Sequence, residues 1–186
     1  MASRSHDAND GDESILELRN LQKYYSQHSG ILESLLLKDD EPIQAVDGVD
    51  LELGQNDVVG VIGESGCGKT TLIQTLMALE EPTGGEILFR DRNVGEFSRD
   101  EMKEYRKNVQ IIFQDPFDTL DPKMTVRETL LEPLKVHDMD DKRERIHDVL
   151  EEVHLDPPER FLDQLPESLS GGEKQRVSIA RALVIE

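Results

Sequence analysis

The chain has 186 residues, enough for one domain or a compact domain with a subdomain, and its 40 acidic against 21 basic residues leave a formal charge of −19. Such a surface repels the phosphate backbone of nucleic acid, which argues against DNA or RNA as a main partner, and it suits a protein adapted to high salt. A single cysteine, Cys67, excludes an internal disulfide and a cysteine-built zinc or iron–sulfur site, and no segment approaches the roughly 20 apolar residues of a membrane span.

In chain order, residues 1–13 read as a disordered, acidic, cytoplasmic lead-in, because no apolar run follows the charges as it would in a signal peptide. ILELRNL sets Leu16 and Leu18 against Ile15, Glu17 and Arg19, the alternation of a half-buried strand. A polar stretch from Ser26 to Pro42 reads as an insertion. AVDGVDLEL (45–53) alternates again, and DVVGVI (57–62) is a continuous apolar run, as expected of a strand buried on both faces. Helical spacing of Leu72, Thr75, Leu76 and Leu79 predicts a helix from Lys69 to Leu79. EPTGGEILF predicts a turn and a strand, SRDEMKEYRKN an exposed helix, and VQIIF (109–113) a short strand.

Beyond Gln114 strand signals cease. The expected division is therefore an α/β core over 14–114 and a mostly helical subdomain over 115–186. Val126, Leu130 and Leu134 form one helical stripe, and Ile146, Val149, Leu150 and Val153 a second; both read as packing faces.

GESGCGKT (63–70) has the P-loop spacing and lies between an apolar run and a helical pattern, the context that motif requires. Gly63, Gly66 and Gly68 permit the backbone angles and close approach that let successive amides curl around phosphate oxygens. The following helix adds the positive end of its dipole. Lys69 can reach the outer phosphates, and the Thr70 hydroxyl can ligate magnesium. The nucleotide site on this reading comprises Gly63, Glu64, Ser65, Gly66, Cys67, Gly68, Lys69, Thr70 and Thr71, with Cys67 only a small residue in a tight loop.

A second anion site is suggested by LSGGEKQR (169–176). Ser170, Gly171, Gly172 and Glu173 make a capping-box pattern ahead of a helix carrying Val177, Ala180, Leu183 and Val184 on one face. An ordinary capped helix explains that pattern as well. The glycines, however, leave the helix end bare, with unpaired N–H groups that suit an anion.

LSGGEKQR closely resembles the signature motif of ABC-type ATPases, and its order after the P-loop strengthens the likeness. In that family the signature helix of one subunit meets the γ-phosphate held by the P-loop of another. The resemblance thus implies an α/β P-loop ATPase core with an inserted helical subdomain, ATP and Mg2+ as ligands, and a second ATPase subunit packed head to tail. FQDPFDTLDPKMTV (113–126) is similar to the Q-loop region of peptide and nickel importer subunits, which would make Gln114 a contact of magnesium and of the attacking water. Tyr25 matches the residue that stacks on adenine, with Tyr24 its competitor. Lys69 and Gln114 are then the catalytic candidates.

The same likeness implies peripheral attachment to the cytoplasmic face of the membrane, a transmembrane permease as partner, and an extracytoplasmic solute-binding protein acting indirectly. Glu173 departs from the family's usual Gln. A carboxylate there would repel a γ-phosphate unless it turns back to the Ser170 amide. The family continues past the signature with an Asp-ended strand and a catalytic Glu, whereas this sequence stops at RALVIE. The expectation is a C-terminally truncated chain that binds nucleotide weakly without turnover. His137, His147 and His154 are expected to be solvated or structural. A non-transport ATPase of the same superfamily and a nucleotide-binding module without turnover are the alternatives.

Overall fold

The computed structural model describes residues 14–26, 42–113 and 120–186. The lead-in, most of the 26–42 insertion and Gln114 lie outside the described residues. The chain divides into two compact units, one up to Met102 and one from Lys103, upstream of the division expected after Gln114.

In the first unit, β1 (Leu16–Tyr25) lies between β2 (Ile43–Leu53) and β3 (Gly84–Phe89), and β3 continues to the short β4 (Arg92–Asn93). All three pairings are antiparallel. Leu16 and Leu18 face inward by alternation, but Leu21 would fall on the wrong face. A bulge corrects this. Asn20 takes φ 46°, its amide donates to Asp50 Oδ1 at 2.7 Å, and Leu21 becomes fully buried. Opposite the bulge Gly85 has φ 72°, and a Cβ there would lie 2.1 Å from the Asn20 carbonyl oxygen, so only glycine fits. Val46, Ile87, Leu88, Phe89 and Val94 are also buried in this unit.

Helix α1 (Lys69–Leu76) buries Leu72 and Thr75 and stops short of Leu79, which is 59% exposed. Helix α2 (Arg99–Asn108) is mostly exposed and buries Tyr105, whose burial pushes its phenol up to about 12. The second unit continues with α3 (Val126–Val136), α4 (Lys142–Glu152), the short α5 (Glu159–Leu162) and α6 (Gly171–Leu183). Their stripes meet in one core in which Val126, Leu130, Leu134, Ile146, Val149, Leu150, Val177, Ala180 and Val184 are all buried. Each fully buried Val or Leu there contributes roughly 1.5–3 kcal/mol.

Two expected strands are not formed. Residues 57–62 and 109–113 are irregular, with Val58 97%, Ile62 98%, Ile112 49% and Phe113 48% exposed. A strand buried on both faces needs a hydrogen-bonded neighbour on each side, and among the described residues none pairs with either segment.

Candidate nucleotide-binding site

The loop Gly63–Gly68 leads directly into α1. Gly66 and Gly68 adopt φ 81° and 95°, a region that side chains rarely tolerate, and Gly68 is the N-cap of the helix. A Cβ on Gly68 would lie 1.9 Å from the carbonyl oxygen of Ala45 in β2, so this glycine is fixed by both angle and space. A Cβ on Gly63 would meet Cys67 Sγ at 2.6 Å, which accounts for the small residues at both positions.

The Lys69 ammonium arches back over the loop, donating to the Gly63 carbonyl at 2.8 Å and the Glu64 carbonyl at 2.6 Å, with Cys67 Sγ at 3.5 Å. A cation held over backbone carbonyls beside a helix N-terminus forms a local positive centre in an acidic chain. Glu64, Ser65 and Thr70 are exposed, and Thr71 is half-buried. The donor set consists of main-chain N–H groups, one ammonium and hydroxyls, which fits a polyphosphate. For magnesium the fit is limited to the Thr70 hydroxyl plus phosphate oxygens, because the described residues contain no group of three or more His, Cys, Asp or Glu able to hold a metal.

The two tyrosines at the end of β1 separate by strand alternation. Tyr24 donates its hydroxyl to Asp47, whose carboxylate pushes the phenol above its ordinary value. Tyr25 pairs with Ile43 in the stretch of β2 that also holds Ala45, and it shares a strand face with Lys23. The Lys23 ammonium lies 5.0 Å from the Tyr25 ring centroid.

At α6 the capping box is closed. Ser170 N donates to Glu173 Oε2 at 2.7 Å, and Glu173 N donates to Ser170 Oγ at 3.3 Å. The Ser170 hydroxyl and then its amide hold the Glu173 carboxyl below the usual range, and Arg160 and Arg176 add to the effect. Thr125 and Glu128 form the same box on α3, so the box alone marks no anion site. The glycines distinguish α6. Gly171 and Gly172 are exposed and a Cβ on either would meet nothing within 4 Å, although each glycine costs a helix about 1 kcal/mol relative to alanine. Packing among the described residues therefore does not require them.

Of the three histidines in the helical region, His137 is half-buried at the end of α3, where burial and then Lys103 and Lys107 lower its pKa. His147 Nδ1 lies 3.6 Å from Glu159, and the carbonyl of the exposed His154 accepts from Arg176. The sequence pattern alone points to no role for Lys23 or Ala45. The i, i+2 spacing of Lys23 and Tyr25 on a strand could have revealed the first, but nothing local signals the carbonyl contact of the second.

Residues 46–186 match the family described as ABC transporter. The chain belongs to the ABC transporter family. It is 40% identical over 177 residues to the oligopeptide transport ATP-binding protein AppF of Bacillus subtilis, covering 93% of this chain and 52% of that protein. To the oligopeptide transport ATP-binding protein OppF of Lactococcus lactis it is 37% identical over 172 residues, covering 91% and 52%. The chain thus spans about half the length of the curated relatives it matches.

Among solved structures of ABC proteins it is similar to the dimeric post-hydrolysis state of the cassette MJ0796 bound to ADP and Pi. There the TM-score is 0.71 and the identity 30%, over 91% of this chain and 69% of that one. It is also similar to cbiO1 of Clostridium perfringens, part of the transporter complex cbiONQ. In that case the TM-score is 0.72 and the identity 26%, over 94% and 62%. The fold is accordingly that of the ABC ATPase cassette, an α/β P-loop architecture.

Proposed function

We propose that this chain supplies the nucleotide-binding part of an ATP-binding subunit of a peptide importer, and that the whole subunit couples MgATP binding and hydrolysis to uptake through a membrane-embedded permease, while these 186 residues alone bind nucleotide weakly without turnover. The observation that carries the nucleotide part is the loop itself: left-handed Gly66 and Gly68 under a Lys69 ammonium 2.6–2.8 Å from the loop carbonyls. When phosphates enter, this ammonium exchanges carbonyl partners for phosphate oxygens, and the loop amides supply the remaining donors. Thr70 would contribute its hydroxyl to magnesium, whose charge offsets that of the polyanion, and Gln114 would complete the ion's surroundings. Tyr25 is the adenine platform on this reading. Tyr24 is already committed to Asp47, which supports the choice.

The bare N-terminus of α6, at Ser170, Gly171, Gly172 and Glu173, would meet the γ-phosphate held by a second subunit. These glycines support that role, since packing among the described residues does not require them and their lack of side chains leaves room for an approaching partner or ligand. Glu173 is turned onto Ser170, which lessens its repulsion of that phosphate. The peptide-type assignment rests on the likeness to AppF and OppF over most of this chain. It brings with it a permease, an indirect solute-binding protein and a place on the cytoplasmic membrane surface. No helix among the described residues is long and apolar enough to cross a membrane itself.

The test is Lys69→Ala in the full-length protein, assayed for ATP hydrolysis and peptide uptake. Loss of both is expected. Retention of hydrolysis would refute the site, and loss of hydrolysis with recovery of nucleic acid instead of a permease in pull-downs would refute the transport role. The acidic excess supports adaptation to salt, and stability that fails to rise toward molar KCl would contradict it.

A further inference from the structure

Lys23 occupies an unusual position for a lysine in so acidic a chain. Its side chain is only 12% exposed, and its ammonium lies 2.9 Å from Glu80 Oε2, 2.8 Å from the Glu81 carbonyl oxygen and 5.0 Å from the centre of the Tyr25 ring. Glu80 and Glu81 follow α1, the helix that the phosphate loop initiates. One ammonium therefore joins the end of that helix segment to the aromatic side chain at the end of β1.

We propose that Lys23 is a positioning residue for the nucleobase, holding the Tyr25 ring from one side so that its other face is presented to the base of a purine nucleotide. This rests on the reading of Tyr25 as the adenine platform and extends it. Two acceptors fix the ammonium, so it cannot swing away with solvent, and the ring is held by its attraction to the electron-rich face. A cation on one face also draws electron density from the ring, which strengthens stacking of a base on the other. Because the ammonium is committed to Glu80 and Glu81, it contributes to base contact and not to phosphate contact. Tyr24 cannot substitute, since it alternates to the opposite strand face and its hydroxyl is held by Asp47.

The experiment compares MgATP with inorganic tripolyphosphate as calorimetric ligands of the full-length protein. Lys23→Met is expected to weaken MgATP binding about tenfold and leave tripolyphosphate binding unchanged. Lys23→Arg, which keeps the cation on the ring, should restore affinity to within about threefold. Glu80→Gln loosens the ammonium without removing it and should cost about threefold, again for MgATP only. Tyr25→Ala should lose at least as much as Lys23→Met, and adding Lys23→Met to it should change little further, because the two act as one unit.

If Tyr25→Ala weakens MgATP binding while Lys23→Met does not, the inference fails and the platform stands. If Tyr25→Ala has no effect, the platform reading fails and takes the inference with it. Equal loss of tripolyphosphate binding in Lys23→Met would show damage to the phosphate loop and would also overturn the proposal.

Discussion

The helical unit satisfies its apolar residues locally, whereas among the described residues of the sheet unit the apolar run at 57–62 stays exposed. Val126, Leu130 and Leu134 of α3 and Ile146, Val149 and Leu150 of α4 belong to one buried core with Val177, Ala180 and Val184 of α6. Val58 and Ile62, in a stretch at least as apolar, are 97% and 98% exposed. The difference is one of what each element needs. A helix closes its own backbone hydrogen bonds and asks its neighbours only for a packing face, while a central strand needs partners on both edges before its side chains have anywhere to go. Hydrophobicity sets what an element can bury, and topology decides whether it does.

Substitutions on the two sides of this contrast should separate widely in urea unfolding. Leu130→Ala or Leu150→Ala, each removing a fully buried side chain, should cost about 2–5 kcal/mol. Gly68→Ala must displace the Ala45 carbonyl and adopt a strained φ, and about 1–3 kcal/mol is expected together with loss of phosphate binding. Thr125→Ala removes the α3 cap and should cost about 1 kcal/mol. Val58→Thr and Ile62→Thr should stay within about 0.5 kcal/mol of the parent; a loss above about 2 kcal/mol would mean that the run is packed and would break the comparison.

The smallest effect is electrostatic. The Ser98 amide, Arg92 and the Ser98 hydroxyl hold the Glu101 carboxyl at about 2. Because this value is depressed, the stability it contributes is fully present above the ordinary carboxylate range and is lost as pH falls through about 2. Glu101→Gln should therefore flatten the acid limb of the stability curve between about pH 4.5 and 2, and an unchanged limb would remove this contact from the account.

Much of this was legible in the sequence for definite reasons. Helical stripes such as Val126, Leu130 and Leu134 are set by local periodicity and by a Thr125–Glu128 box that the chain carries beside them. The P-loop could be read because glycine angles and a lysine at fixed spacing encode it directly. The capping box at Ser170 and Glu173 formed as the pattern predicts, with the carboxylate on the serine amide. The bulge at Asn20 was hidden because it depends on Gly85 and Asp50 across the sheet. Residues 57–62 and 109–113 read as strands because an apolar run states a preference for burial and says nothing about whether a pairing edge is at hand. Tyr105 was missed for the opposite reason, as a single buried side chain on an otherwise charged helix.

The proposed function requires phosphates to be held by the backbone of the loop from Gly63 to Thr70. Amide chemical-shift mapping of the chain during titration with MgATP tests this most directly. Gly66, Gly68, Lys69 and Thr70 should show the largest shifts, with the Tyr25 ring also perturbed, and Lys69→Ala should abolish them. Amides of that loop standing still while nucleotide binds elsewhere would contradict it.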